Sequence, residues 1–241
     1  MNVPSLFPET PMHTLRSLCR VLILASCLAP LGAYAQPAPL GFYVGAGAGE
    51  SHFRSDYASQ VNQAYEGTGF TVDSARVTED QDTAWKAYAG WRFHRYGAVE
   101  VGYLDFGRAT TNYQVGVPGI GSAVRDGRYR LSGVELSLVG TVPVGDRGTV
   151  FAKAGGLVST LKYDESGVDQ FGAPASFSHD NRHTLFLWGL GGAYEFVDGL
   201  SVRVEWQRAE DAGERFALTD SGNGRFEHVD LISASLQWRF R

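Results

Sequence analysis

Nine charged side chains lie inside segments that otherwise alternate between apolar and polar residues, and they are the residues best able to do chemistry. A charge that faces lipid costs about 2–4 kcal/mol at the bilayer midplane, so we expect these side chains to face a lumen and pair there. The predicted lumen charges are Lys86, Arg92, Glu100, Glu135, Lys153, Glu195, Arg203, Glu205 and Arg239.

Two predicted hairpins carry opposite charges at nearly equal distances from their bends. Arg92 and Glu100 flank one turn, and Glu195 and Arg203 flank another. The spacing predicts an ion pair across each pair of adjacent strands. Because eight strands enclose a lumen just wide enough for side chains, we expect a plug of ion pairs and not an open channel.

Histidines and serines near predicted strand ends are the other residues that could act in catalysis or metal binding. No pattern fixes a nucleophile beside a base and an orienting carboxylate. His179 and His183 would share a metal ion on a helix, but this segment has no helical periodicity. We therefore predict no catalytic residue, no metal site and no cofactor. The residues considered are His52, His179, His183, His228, Ser51, Ser176 and Ser178.

The last strand shows most clearly which elements would position these side chains. From Ile232 to Phe240 every second residue is apolar, interleaved with serine, glutamine and arginine. Such alternation, ending in aromatic residues, is typical of a strand that faces lipid on one side and a polar lumen on the other.

Seven more segments alternate in the same way, joined in turn by long and short connections. Short turns are predicted at about 94–97, 143–148 and 197–199, and long polar loops at about 54–81, 117–126, 163–181 and 209–227. The apolar rows lie within Phe42–Phe53, Thr83–Phe93, Val99–Gln114, Val134–Val142, Val150–Val158, Phe186–Phe196, Val202–Trp206 and Ile232–Phe240.

This sorting of connections predicts the fold. Both termini would lie at the short-turn end, as in an all-β, eight-stranded antiparallel transmembrane β-barrel with long external loops. A soluble lipocalin-like barrel is the alternative. The aromatic residues expected on the lipid face and its interfaces are Trp85, Trp91, Tyr103, Trp188, Trp206, Trp238 and Phe240.

The N-terminus resembles an export signal. Two arginines precede an apolar run, Val21–Leu31, which is too short for a mature membrane helix, and Ala33-Tyr34-Ala35 offers a small-x-small cleavage pattern. We predict a signal peptide over 1–35, with the barrel domain over 36–241 beginning at Gln36.

Two alternatives remain for this N-terminus. Translation could begin at Met12, because the preceding residues are rich in proline. Leu24-Ala25-Ser26-Cys27 also fits a lipoprotein cleavage box, which would leave a lipidated Cys27.

Composition excludes several classes of partner and chemistry. Both cysteines, Cys19 and Cys27, precede the predicted cleavage point, so we expect no disulfide in the mature chain. A net charge of −5 argues against nucleic-acid binding, which needs clustered lysine and arginine.

The first and last predicted loops are rich in acidic residues, and a solvated surface is the simplest interpretation. The alternative is contact with cations, with divalent ions that bridge lipopolysaccharide, or with a host or phage receptor. The acidic loop residues are Asp56, Glu66, Asp73, Glu79, Asp80, Asp82, Glu210, Asp211, Glu214, Asp220 and Glu227.

Four motifs resemble the OmpA-like eight-stranded outer-membrane β-barrel family. They are Glu100–Gly107, Gly155-Gly156, Arg203–Gln207 and Gln237–Phe240. The resemblance implies an exported protein of the cell outer membrane that contacts outer-membrane lipid and lipopolysaccharide and is inserted by the barrel-assembly machinery. Because the chain stops at Arg241, directly after Phe240, we expect no peptidoglycan-binding domain and a slightly altered assembly signal.

The same resemblance implies an interior acid–base cluster that acts as a gate in the family. Glu100, Lys153 and Arg203 occupy matching positions, whereas Val139 and Ala193 stand where the family has further charged groups. We therefore predict a structural or surface-interaction role without catalysis. A small gated channel is the second hypothesis. The third is a lipid A-modifying enzyme, since some eight-stranded barrels use a histidine and a serine near the outer rim.

Overall fold

The computed structural model describes residues 40–67, 69, 71–117, 121–169, 171–210, 216–217, 223–224 and 226–240. The predicted signal peptide and its cleavage residues Ala33, Ala35 and Gln36 lie outside this part of the chain. Eleven strands and one helix are described: β1 Gly41–Arg54, α1 Tyr57–Tyr65, β2 Thr71–Glu79, β3 Gln81–His94, β4 Gly97–Val117, β5 Gly121–Val144, β6 Gly148–Val168, β7 Pro174–Val197, β8 Leu200–Glu210, β9 Phe216–Ala217, β10 Asn223–Gly224 and β11 His228–Arg239.

Eight of these strands form one closed antiparallel ring, and the fold prediction is confirmed. The hydrogen-bonded order is β4-β3-β1-β11-β8-β7-β6-β5, and pairing between β4 and β5 closes the ring. The first and last strands meet with Tyr43 opposite Arg239 and Arg54 opposite His228. Closure leaves no edge strand around the ring, which is the condition for β-structure to cross a bilayer.

Tight turns close one end of the ring and fix which end carries the termini. Residues 95–96, 145–147 and 198–199 join the strand pairs there. Gly145 and Gly199 adopt φ angles of +62° and +81°, which a residue with a Cβ adopts only at a cost. Gly41 and Arg239 lie at the same end, so the ring's chain begins and ends at the tight-turn end, which is the periplasmic end in outer-membrane barrels.

The opposite end is taller on one side, which corrects the predicted loop bounds. Strands β4 to β7 have 21 to 24 residues each, whereas β8 has 11 and β11 has 12. Residues 121–126, 163–168 and 174–181, predicted as loops, are paired strand. Most of their outward residues are polar, among them Asp126, Asp164 and Asp180, so no apolar alternation marks these segments as strands.

The first external connection is also not the loop that the sequence predicted. After β1 the chain forms helix α1 and then β2. Strand β2 pairs with the part of β4 that extends beyond the external end of β3, with Thr71 opposite Gly116 and Glu79 opposite Thr110. Val61 of α1 and Tyr113 of β4 are buried against each other in one cluster. The helix therefore packs on the inward face of the tall wall.

The outward face of the ring carries an apolar band. On β5 the exposed residues Val134, Leu136, Leu138, Val142 and Val144 form one row. This row covers about 33 Å of strand, or about 25 Å of height at a tilt of roughly 40°, which matches the apolar band of an outer-membrane barrel.

No helix in the described part of the chain is long and apolar enough to cross a membrane.

Candidate functional site

Six charged side chains meet in the middle of the barrel, and each is at most 4% exposed. Three are basic and three acidic, so the cluster is formally neutral. They come from five strands whose inward positions alternate with the apolar rows outside. We call this group the lumen cluster: Lys86, Glu100, Glu135, Lys153, Arg203 and Glu205.

Arg203 is the most connected member of the lumen cluster. Its guanidinium donates to Glu100 through Nη1 at 2.5 Å and Nη2 at 3.1 Å, and Nε donates to Glu205 at 2.9 Å. The same group lies over the rings of Phe151 and Tyr88, with centroid distances of 4.0 and 4.8 Å. Bidentate pairing together with ring stacking suits arginine and would not suit lysine.

The two lysines extend the lumen cluster to the remaining carboxylates. Lys153 Nζ lies 2.9 Å from Glu135 and 2.9 Å from Glu205, and 4.0 Å from Glu100. Lys86 Nζ donates to Glu205 at 2.7 Å and to Gln207 at 2.9 Å. Gln207 in turn donates to Glu135 at 3.2 Å, which closes a continuous network. Each buried charge therefore has an opposite partner within contact, which makes burial tolerable.

Both ion pairs predicted within hairpins are wrong. Glu100 bonds Arg203 across the lumen, while Arg92 Nη1 donates to Thr141 at 3.5 Å. Glu195 bonds Arg239 at 2.8 Å instead of Arg203. In the actual registers the predicted partners are diagonal and not directly opposite, and long side chains in a narrow lumen reach the far wall instead.

The remaining three predicted lumen charges also face inward, below the lumen cluster at the periplasmic end. Arg92, Glu195 and Arg239 are partly exposed there and line a cavity of about 50 Å³. A water molecule needs about 10–15 Å³ of this kind of volume, so the space holds a few waters only.

Above the lumen cluster the inward face becomes apolar, which the sequence reasoning missed. Leu104, Phe106, Leu157, Leu187 and Leu231 are fully buried and belong to one contiguous group of apolar residues. The available signal was the unbroken run Leu185-Phe186-Leu187-Trp188, in which both faces of a strand are apolar. We call this group the apolar core; it separates the charged layer from the external mouth.

Helix α1 packs against the inward face of β2 and β4 at the external end. Tyr57 and Val61 pack on Tyr113 and Val115, and all four are at most 4% exposed. Beside them Glu165 accepts hydrogen bonds from Tyr113 and Tyr163 and lies 3.6 Å from Arg125 Nε. Burial and the Glu165 carboxylate raise the pKa of Tyr113, so its phenol stays protonated and remains a donor.

The histidine and serine candidates that are adjacent in sequence face opposite sides of the barrel wall. Ser51 is buried and donates to the backbone oxygens of Phe106 and Asp82. Adjacent residues of a strand face opposite sides, so Ser51 faces inward and His52 outward, and Ser178 faces outward and His179 inward. Ser178 donates to Asp164 at 2.8 Å.

The two histidines considered as metal ligands lie apart on one strand. His179 and His183 lie on β7, and four residues of strand separate them by about 13 Å. Within the residues that the structure describes, no group of three or more His, Cys, Asp or Glu side chains is placed to hold a metal ion. Of the acidic loop residues, Asp211, Glu214 and Asp220 lie outside the described ranges.

The predicted interface aromatics lie on the outward face in two levels. Trp91, Trp238 and Phe240 lie near the periplasmic end, and their exposed fractions are 46 to 51%. Trp85 and Tyr103 contact each other near the external end, with ring centroids 5.2 Å apart. Trp188 and Trp206 pack edge to face at 4.8 Å, and Trp188 Nε1 donates to Glu210 at 2.9 Å. Two aromatic belts of this kind flank the lipid band of outer-membrane barrels.

Comparison with known proteins agrees with this architecture. A model described as the OmpA-like transmembrane domain matches residues 37–241. Outer membrane protein P5 of Haemophilus influenzae is 28% identical over 235 residues, which cover 91% of this chain and 59% of P5. Outer membrane protein A of Yersinia pseudotuberculosis serotype I is 25% identical over 176 residues, which cover 73% of this chain and 45% of that protein. The chain thus spans about half the length of these relatives.

Among solved structures, the outer membrane protein OprG from Pseudomonas aeruginosa is similar, with a TM-score of 0.45 and 11% identity. The match covers 85% of this chain and 99% of OprG.

Proposed function

The chain belongs to the OmpA-like transmembrane domain family and is a protein of the outer membrane, and from this premise we propose that it is a closed scaffold whose outer surface makes the functional contacts. Its lumen carries no solute, and it performs no catalysis. Its partners are outer-membrane lipid and lipopolysaccharide, the barrel-assembly machinery during insertion, and host or phage molecules at the external end.

The single observation that carries this proposal is the filling of the lumen at successive levels. The neutral lumen cluster spans the barrel's middle, the apolar core lies above it, and α1 packs on the inward face of the wall at the external end. Rearranging ion pairs alone would not open a path, because the apolar core contributes no exchangeable partner. An eight-stranded ring has no spare width around these side chains.

Solute permeability tests the proposal. Liposomes that contain the full chain should swell in sugar or amino-acid solutions no faster than empty liposomes, while a porin control swells quickly. Swelling that exceeds the empty control in a protein-dependent manner would favour the gated channel, the second hypothesis.

The enzyme hypothesis has a separate test. Overexpression in cells should leave the acylation pattern of lipid A unchanged by mass spectrometry. A new or lost acyl chain that depends on His52 or His183 would contradict the proposal. Ser159 lies directly opposite His183, and its hydroxyl donates to the backbone oxygen of His183 at 3.1 Å.

The N-terminal processing is also a proposal. A mature protein that begins at Gln36 in mass spectrometry would support a signal peptide over 1–35 and a barrel domain over 36–241. An acylated Cys27 would show instead that the lipoprotein alternative is right. Outer-membrane fractionation with a heat-modifiable band is expected in both cases.

A further inference from the structure

Five basic side chains cluster on the outward face of the tall wall, just above the apolar band. They lie on four consecutive strands, β4 to β7, and all five are exposed. We call this surface the basic wall: Arg108, Arg128, Arg130, Lys162 and Arg182.

The strand registers bring like charges face to face in one row of the basic wall. Arg108 on β4 is directly opposite Arg130 on β5, and Arg130 is directly opposite Lys162 on β6. Like charges in directly opposite positions destabilise a sheet. Three in succession are therefore a cost that calls for an anion between them.

The basic wall is poorly neutralised by the protein itself. In the described part of the chain, Arg108, Arg128, Lys162 and Arg182 form no ion pair, and Arg130 bonds Asp105 at 2.9 Å with half of its side chain still exposed. Four acids share this surface. Asp105 bonds Arg130, Asp126 accepts from Asn112, Asp164 lies opposite Arg128 and accepts from Ser178, and Asp180 lies opposite Lys162.

The outward charges near the external ends of β1, β8 and β11 show a contrast. There Arg208 donates to Asp230 through two bonds of 2.7 and 2.9 Å, and Trp188 donates to Glu210. His228 lies 3.7 Å from Asp230 and His52 lies 3.9 Å from Glu50. On that side Arg208 is neutralised by Asp230, whereas four of the five side chains of the basic wall form no ion pair within the described residues.

The depth of the basic wall identifies what can neutralise it. Arg130 is four residues above Val134, and Lys162 is four residues above Val158, and both valines are exposed in the apolar band. Four residues of tilted strand raise the charges by about 10 Å, which places them among the lipid headgroups. Only the outer leaflet meets this end of the barrel.

We propose that the basic wall is a binding site for the phosphate groups of outer-leaflet lipopolysaccharide. Arginine forks bind phosphate oxygens in bidentate fashion, and a phosphate between strands turns the like-charged row into a set of attractive contacts. The acyl chains of the same lipid lie along the apolar band below. The inference rests on the membrane placement and not on the closed lumen, so either can fail without the other.

The test is a lipid titration of the full chain in a maltoside detergent with EDTA, followed by native mass spectrometry. The probes are diphosphorylated lipid A, lipid A stripped of both phosphates, and inorganic phosphate as a competitor. The wild type should bind diphosphorylated lipid A at least tenfold more tightly than the stripped lipid. Inorganic phosphate should compete only at concentrations far above that of the lipid.

The variant Arg108→Gln/Arg128→Gln/Lys162→Gln should lose this tenfold preference. A control with the same change of net charge, Arg54→Gln/Arg95→Gln/Arg147→Gln, alters exposed arginines outside the basic wall and should keep it. The single variant Lys162→Gln provides a milder change if the triple variant folds poorly, as judged by heat-modifiable migration.

Several outcomes would overturn the proposal. Equal binding of the two lipids by the wild type would show that the phosphate groups do not contribute to binding. A retained preference in the triple variant would show that the basic wall is not the binding site. An equal loss in the control would show that the preference depends only on net charge. Competition by inorganic phosphate at the concentration of the lipid would mean a site for free phosphate.

Discussion

Arg203 shows how one side chain holds the interior together. It is 3% exposed and bridges Glu100 and Glu205 while it stacks on two aromatic rings. Its removal would leave the lumen cluster with three carboxylates and two lysines. Breaking a buried ion pair by removing one partner is far costlier than the net contribution of the pair.

Arg203→Ala should therefore lower the free energy of unfolding by about 3–5 kcal/mol. Urea unfolding of the refolded protein in lipid vesicles, followed by tryptophan fluorescence, measures the change. Arg95→Ala, in an exposed periplasmic turn, should stay within about 0.5 kcal/mol of the wild type. Similar values for the two variants would contradict the structural role of the lumen cluster.

The face of the barrel wall on which a residue lies can be predicted from the sequence, whereas its side-chain partner cannot. The period-two pattern indicates which residues share a face, because it follows from backbone geometry alone. The pairing of Glu100 with Arg203 joins residues 103 positions apart, and no local pattern encodes which far-wall strand lies opposite. For this reason the predicted Arg92–Glu100 pair is wrong although both residues face inward.

Glycines opposite tyrosines give a second residue-scale prediction. Gly90 lies opposite Tyr43, and a Cβ at Gly90 would come within 2.2 Å of the Tyr43 ring. Gly90→Ala should therefore destabilise the barrel by about 1–3 kcal/mol through overpacking. The control Gly156→Ala, whose nearest neighbour would be 3.8 Å away, should change little in the same unfolding assay. Equal effects would show that the tyrosine contact is not what limits Gly90.

At the scale of elements, helix α1 and the tall wall are what the sequence did not predict. Above the bilayer the outward face is polar whether the chain is strand or loop, so hydrophobic alternation stops before the strands do. The pairing continues, with Asp126 opposite Ser166 and Glu165 opposite Phe177. The predicted strand ends near the membrane, such as those at the turn 94–97, agree with the structure within a few residues. Side chains that face lipid must be apolar, so the alternation is clear there.

Helix α1 should detach when its buried face is charged. Val61 is fully buried against β4, so Val61→Asp would bury an unpaired carboxylate and release the helix while the ring stays closed. Trypsin should then cut at Arg54 and Arg76 much faster, as seen by peptide mapping of folded protein. The control Asn62→Asp, at an exposed position, should be cut at the wild-type rate. Unchanged cleavage of Val61→Asp would contradict the packing of α1.

At the scale of the whole molecule, the closed ring and its filled interior depend on each other. Eight strands give a ring that side chains can fill completely, and the filling stabilises the ring against opening. The surfaces left for contact with other molecules are then the outer ones, namely the apolar band, the two aromatic belts and the basic wall. The composition predicted this class well, since mixed hydropathy and abundant aromatic residues suit a lipid-facing strand barrel.

Planar-bilayer recording of the wild type beside Arg203→Ala tests the closed lumen most directly. Both proteins should insert without reproducible stepwise conductance, because the apolar core above the lumen cluster remains intact in the variant. The unfolding assay shows independently whether the substitution has disrupted the charged layer. Reproducible conductance steps in the wild type that change in size or frequency in Arg203→Ala would contradict the account and show that the lumen cluster gates a channel.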